Sequence, residues 1–187
     1  VGTHNMGLNY LDPISRTSKV FRHNQADSKS IAGDMVYALL KDHKSRIWVG
    51  TRTGFDQFNT SDQSFSHIYM DKAGKRLTSD EISYLLEDSK KRIWIGTTNG
   101  VNLFYPDNML FDNFPGNLLS NDVVSCIAED AKKRIWIGTR DGLNLFDENT
   151  RSFVTFNIRK DFLKGTIYGI LPDDEGNLWI STNKGLV

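Results

Sequence analysis

Apolar positions in this chain come in short runs separated by polar turns. Val36 to Leu40 is followed by Asp42-His43-Lys44-Ser45 and then by Ile47 to Thr51. A two-residue polar step and Gly54 lead into Phe55 to Asn59, and Thr60-Ser61-Asp62 separates that run from a last one around Ser64 to Tyr69. The pattern predicts four strands separated by turns. No stretch keeps an apolar 3.6-residue period with caps for the roughly 10 to 12 residues a stable helix wants, so the chain reads as all-β.

The same pattern then returns. Trp48, Trp94, Trp136 and Trp179 stand 46, 42 and 43 residues apart, in the phrases IWVGTRTGFDQF, IWIGTTNGVNLF, IWIGTRDGLNLF and LWISTNKGLV. Val1-Gly2-Thr3 followed by Gly7-Leu8-Asn9-Tyr10 is a further copy with one inserted residue. Four antiparallel strands in a period of about 40 to 45 residues are the blade of a β-propeller, whose sheets must stack because one blade cannot bury both its faces. The runs expected innermost, Val36 to Leu40, Ile82 to Leu86, Val124 to Ala128 and Ile167 to Leu171, are almost continuously apolar. Strands covered on both faces read that way.

The fold expected is an all-β propeller of four-stranded antiparallel blades with about four repeats. Its parts are a partial blade at 1–24, blades at 33–70, 79–115 and 121–157, and a partial blade at 164–187. Asn183 to Leu186 duplicates His4 to Leu8, so closure into four blades leaves a surplus edge, and an open arc or part of a larger ring is expected. Both ends fall inside a repeat, and the opening residues carry neither a signal pattern nor an initiator methionine, so a segment of a longer chain is expected.

Each repeated residue has a structural duty. The Trp supplies an apolar plate whose indole N–H needs a partner. Gly50, Gly96 and Gly138, with Ser181 in the last copy, keep the backbone clear for a neighbouring sheet. Gly54, Gly100, Gly142 and Gly185 close the second hairpin, where a positive φ is expected. Asp42, Asp88, Asp130 and Asp173 open the first hairpin and bond its backbone.

Lys plus Arg and Asp plus Glu number 23 each, so no basic excess exists to neutralise a row of phosphates, and nucleic acid is not an expected partner. No apolar stretch approaches the roughly 18 to 20 residues that span a bilayer, so this segment makes no membrane contact. Cys126 is the single cysteine and sits in an apolar run, which points to a small buried hydrophobe. His4, His23, His43 and His67 fall in different registers without paired-ligand spacing. No GxSxG elbow occurs, and the paired carboxylates adjoin first-hairpin turns. Neither a metal, a cofactor nor a catalytic group is expected.

An aspartate, a short polar turn, Ile-Trp-Ile-Gly-Thr, two residues, Gly-Leu and then an aromatic before Asp or Asn resembles the two-component regulator propeller repeat. The resemblance covers essentially the whole chain; Ser181 departs from the Gly, Phe55 and Val101 from the Leu, and the first copy carries its extra residue. It implies part of the periplasmic sensor region of a bacterial hybrid two-component system, a family that senses glycan breakdown products. The parent chain would be membrane-anchored and carry a histidine kinase.

Ligands of propellers most often meet the loops leading into the inner strands and the turns between second and third strands. On the first lie Asp34, Asp80 and Asp122, followed by Tyr37, Tyr84 and Tyr168; on the second lie Arg52, Asn99 and Arg140, with Asp141 and Lys184. Aromatic plates suit sugar C–H faces, and planar polar groups suit paired hydroxyls. The structural alternative is that the aspartates cap turns and the tyrosines pack between blades. The expected partner is an oligosaccharide, with a homodimer or propeller–propeller contact through uncovered faces. A protein-interaction scaffold without a small-molecule ligand is the alternative, and a propeller lyase or hydrolase a third reading.

Overall fold

The computed structural model describes residues 1–156 and 165–186. Residues 157 and 164, the expected end of one blade and start of the next, and Val187 lie outside the described residues. Strands β1 (Leu8–Asp12) and β2 (Thr17–Phe21) form a two-stranded sheet. β3 (Val36–Lys41), β4 (Ile47–Thr51), β5 (Phe55–Asn59) and β6 (Ser64–His67) form a four-stranded meander. It recurs as β7 (Ile82–Glu87), β8 (Ile93–Thr97), β9 (Gly100–Tyr105) and β10 (Leu110–Pro115). It recurs again as β11 (Val124–Glu129), β12 (Ile135–Thr139), β13 (Gly142–Asp147) and β14 (Ser152–Thr155). β15 (Ile167–Pro172), β16 (Leu178–Thr182) and β17 (Gly185–Leu186) make the last sheet.

Every pairing is antiparallel, and the repeat fixes one register: Leu40, Leu86, Ala128 and Leu171 stand opposite Trp48, Trp94, Trp136 and Trp179. The first strands β3, β7, β11 and β15 contact one another in succession, so the sheets follow a common axis in chain order. Among the described residues no strand of the last sheet pairs with the first, and the assembly is an open arc.

Each seam between complete sheets is built round one indole. Trp48 packs with Ile82, Leu85, Ile93, Ile95 and Phe104 of the following sheet, and Trp94 with Val124, Ile127, Ile135, Ile137 and Phe146 of the next. The close approach explains the glycines: a Cβ on Gly50 would lie 2.5 Å from Ile82, and one on Gly96 2.7 Å from Val124. Trp179, in the last of the described sheets, is 49% exposed.

The aspartate and the tryptophan of each copy are each other's partners. Asp42 Oδ1 accepts the backbone N–H of Lys44 and Arg46 at 2.9 Å, while Oδ2 accepts Arg46 Nε at 2.5 Å and the Trp48 indole at 3.0 Å. The same knot recurs at Asp88 and Asp130. Its turn puts Ser45, Lys91 and Lys133 at φ of 62°, 66° and 64°, and Gly176 takes the position in the last copy. Positive φ also holds at Gly100, Gly142 and Gly185 but not at Gly54. Gly54 is required for space, because its Cβ would stand 2.7 Å from that of Ala32.

The inner strands β7 and β11 are buried or half-buried throughout, as expected for strands covered on both faces. On β3 and β15, at the two ends of the arc, Tyr37, Leu39, Tyr168 and Leu171 are exposed, so these two strands present an apolar inner wall to solvent.

Candidate functional site

In each of four sheets the turn between second and third strands leans on the loop leading into the first. Arg52 N donates to Met35 O at 2.9 Å, Thr98 N to Glu81 O at 3.3 Å, Arg140 N to Val123 O at 3.1 Å and Asn183 N to Thr166 O at 3.1 Å. The two loop types therefore share one face of the arc. A buried amide holds the height of two of these lead-in loops: Asn102 Oδ1 accepts Thr78 N at 3.0 Å, and Asn144 Oδ1 accepts Ser120 N at 2.9 Å.

Within this face the expected residues separate into groups. Asp34 and Arg52 meet at a cavity of about 480 Å³ lined also by Asn5, His23, Ala32, Gly33, Met35 and Thr53. Asp34 accepts His23 N at 2.8 Å and lies 3.7 Å from Arg22. Arg52 is exposed and its guanidinium approaches Met35 Sδ at 3.7 Å. It faces the cavity without a carboxylate partner among the described residues, which leaves its planar donors for a guest.

Arg140 stands at the equivalent turn two sheets away, also exposed. Asn99 occupies the next register; its amide donates to Thr78 O at 3.1 Å, which ties it to its own loop. Asp80 and Asp122 are exposed in the register of Asp34, and Asp122 O accepts Gly100 N at 2.7 Å.

The three tyrosines are not equivalent. Each inner strand has a register shift between its first and third residues, at 36/38, 82/84, 124/126 and 167/169. A bulge of this kind re-aims a side chain, and Tyr37 and Tyr168 occupy it, 40% and 63% exposed. Tyr84 is one residue further on, opposite Gly96. It packs in the seam against the clusters of Trp94 and of Trp136, where burial, with the nearby Cys126, pushes its hydroxyl pKa up. At the bulge Ser83 and Ser125 instead donate to Val124 O and Ile167 O of the next inner strand.

The cavity's His23, Asn5, Met35 and Thr53 had no signal in the sequence. His23 lies in a long connector whose return path has no period, and Met35 and Thr53 are simply neighbours of Asp34 and Arg52 in the chain.

The opposite face is occupied by structural ion pairs. Arg92 joins Asp88 to Glu148 of the next sheet at 2.7 and 2.6 Å, and the bond from Arg92, against some burial, brings Glu148 down to about 2. Arg46 likewise reaches Asp107 at 3.2 Å. The basic turns thus hold neighbouring sheets together. Cys126 is buried, which raises its thiol to about 11 and keeps it protonated. Among the described residues no three His, Cys, Asp or Glu gather to hold a metal, and no helix is long and apolar enough to cross a membrane.

Compared with known proteins, residues 30–53, 76–99, 117–141 and 161–184 match the two-component regulator propeller family. No curated protein matches the sequence. Among solved structures, the extracellular domain of the hybrid two component system BT3049 from B. thetaiotaomicron is similar over 99% of this chain and 24% of its own, with 25% identity and a TM-score of 0.80. That of BT4673, from the same organism, is similar over 99% and 24%, with 22% identity and a TM-score of 0.81. PorZ, a surface component of the type-IX secretion system of Porphyromonas gingivalis, shares the fold over 99% of this chain and 29% of its own, at 20% identity and a TM-score of 0.71. This chain spans about a quarter of the length of these two extracellular domains of two component systems.

Proposed function

Because this chain belongs to the two-component regulator propeller family, we propose that it is a noncatalytic ligand-sensing segment of a bacterial two-component sensor, lying outside the cytoplasmic membrane and responding to oligosaccharides. The observation that carries the reading is the cavity on the loop face, where Arg52 and Asp34 offer planar donors and acceptors beside exposed backbone. The solved relatives similar to this chain include extracellular domains of two component systems, which supports the placement. Tyr37 and Tyr168 on the axial wall supply aromatic surface of the kind that sugar faces stack on.

Binding acts by favouring one arrangement of sheets or protomers over another, and a kinase elsewhere in the parent chain reads that bias. Arg52, Asp34, Tyr37 and Tyr168 are the contact residues on this reading. Arg140, Asp122, Asp80 and Asn99 extend it round the face, and Tyr84 contributes only through the seam. Calorimetric titration with a panel of neutral and acidic oligosaccharides tests it. Saturable heat that disappears in Arg52→Ala supports the reading; no heat across the panel transfers the function to a protein-interaction scaffold, and turnover of any panel member overturns the noncatalytic claim.

A further inference from the structure

The second sheet departs from its sisters at one buried position. Asn102 and Asn144 are fully buried, and each donates to the hydroxyl of a lead-in residue, Thr78 or Ser120, at 2.9 Å while accepting its backbone N–H. The equivalent of the asparagine in β5 is Asp56, also fully buried, and the equivalent lead-in residue is Ala32, which has no hydroxyl. Asp56 Oδ2 still accepts Ala32 N at 2.8 Å. Its other oxygen takes Nδ1 of His67, on β6, at 2.7 Å.

We propose that Asp56 and His67 are a positioning pair whose shared proton sets the lead-in loop of the second sheet, and with it the cavity that carries Asp34 and Arg52. The inference rests on reading that cavity as the contact site. An asparagine brings its own N–H and has no protonation states to exchange, whereas a carboxylate has only acceptors and must draw its proton from a neighbour. A carboxylate with no exposed surface is costly to keep charged. Burial pushes the Asp56 carboxyl up, against the hydrogen bonds from Ala32 and His67.

The loop has little slack to absorb a change at Ala32. His23 Nδ1 holds Ile31 O at 2.8 Å, Thr53 holds Ala32 O at 2.7 Å, and Arg52 N holds Met35 O at 2.9 Å. A Cβ on Gly33 would run into the Thr53 hydroxyl. A weaker or stronger bond at Ala32 N therefore moves backbone that lines the cavity.

The groups that face the pair come from several elements. His23, from the connector after β2, acts electrostatically on Asp56, and Arg22 beside it is committed to Asp34. The Tyr69 ring lies 5.2 Å from that of His67. β4, which pairs with β5, reads Ile-Trp-Val-Gly-Thr and brings no titratable group. Arg52 lines the same cavity.

The test follows the ¹⁵N signals of the His67 ring and the Ala32 amide in the unliganded chain between about pH 4 and 8. The expected result is a single pH step at the Ala32 amide that Gly33 and Asp34 share, as the raised Asp56 carboxyl takes up its proton. Asp56→Asn should lose the step and move the neutral His67 proton to Nε2. Asp56→Asn with Ala32→Ser rebuilds the sister arrangement, holds the loop through its own hydroxyl, and should be equally flat while folded. A flat Ala32 amide in the parent chain, or a step that survives both substitutions, overturns the proposal. Failure of every oligosaccharide to bind alongside an intact step would remove the site reading and leave the pair's control of the loop standing.

Discussion

Replacing Asp130 by alanine takes four hydrogen bonds from one turn: those of Lys132 N and Arg134 N at 2.9 Å, Arg134 Nε at 2.6 Å and the Trp136 indole at 2.9 Å. The backbone donors lie in a surface turn, and the Arg134 side chain is 40% exposed, so water can replace much of what they lose. The indole cannot recover, because Trp136 is 2% exposed and packs against Ile167 and Ile180. A stranded buried donor costs about 1–3 kcal/mol, and loss of the charge-assisted bond adds about 1 more after discounting for exposure. About 3 kcal/mol lowers Tm by roughly 6–12 °C in a chain of this size. Thermal and urea unfolding of Asp130→Ala and Asp173→Ala give the comparison, since Asp173 holds the half-exposed Trp179 at 3.1 Å by the same bond. The account requires the Asp173 variant to lose much less. Equal losses, or a change below about 0.5 kcal/mol at Asp130, would refute the idea that the indole is the part that matters.

Trp94→Ala should cost about 3–5 kcal/mol by opening a cavity in a closed seam, whereas Trp179→Ala should cost clearly less in the same denaturant assay. Gly96→Ala should destabilise by about 1–3 kcal/mol, since the new methyl meets Val124 of the next sheet, measured by the urea midpoint. Arg52→Ala and Arg140→Ala should weaken oligosaccharide binding in calorimetry without lowering Tm. Stability should also depend on pH in two opposite senses. At Asp42 and Asp130 burial opposes ionisation, but the bonds from tryptophan and arginine prevail and hold both carboxyls below their ordinary value. Their contribution is present above the unfolded value near about 4 and is lost as pH falls through the lower folded one. Asp56 is raised, so between the unfolded value and the folded one the native chain binds more protons and acidification stabilises it; Asp56→Asn should remove that component from a stability-against-pH series.

The fold was legible because its signal is repetition: four tryptophans, four turn aspartates and the glycines between them report a meander without reference to long-range geometry. The knot from aspartate to indole was only half legible, since two residues six apart in sequence meet only once the hairpin between them closes. The positive φ at Ser45, Lys91 and Lys133 had no compositional signature, because lysine and serine are not turn glycines. At the site, Arg52 and Asp34 were found by register. The tyrosines also differ in register, Tyr37 and Tyr168 standing 11 residues before their tryptophans and Tyr84 10 before its own, but the side each faces follows from the bulge, which an apolar run does not announce. His23 and the Asp56–His67 pair depend on where a connector returns, which periodicity does not encode.

The most direct test maps amide shifts across the whole chain during titration with an oligosaccharide that gives heat. The account predicts changes confined to the loop face, at Asp34, Met35 and Arg52 first and at the turn of Arg140 with the wall around Tyr168 next. Changes centred instead on the opposite turns, at Lys90 and Lys132, would contradict it.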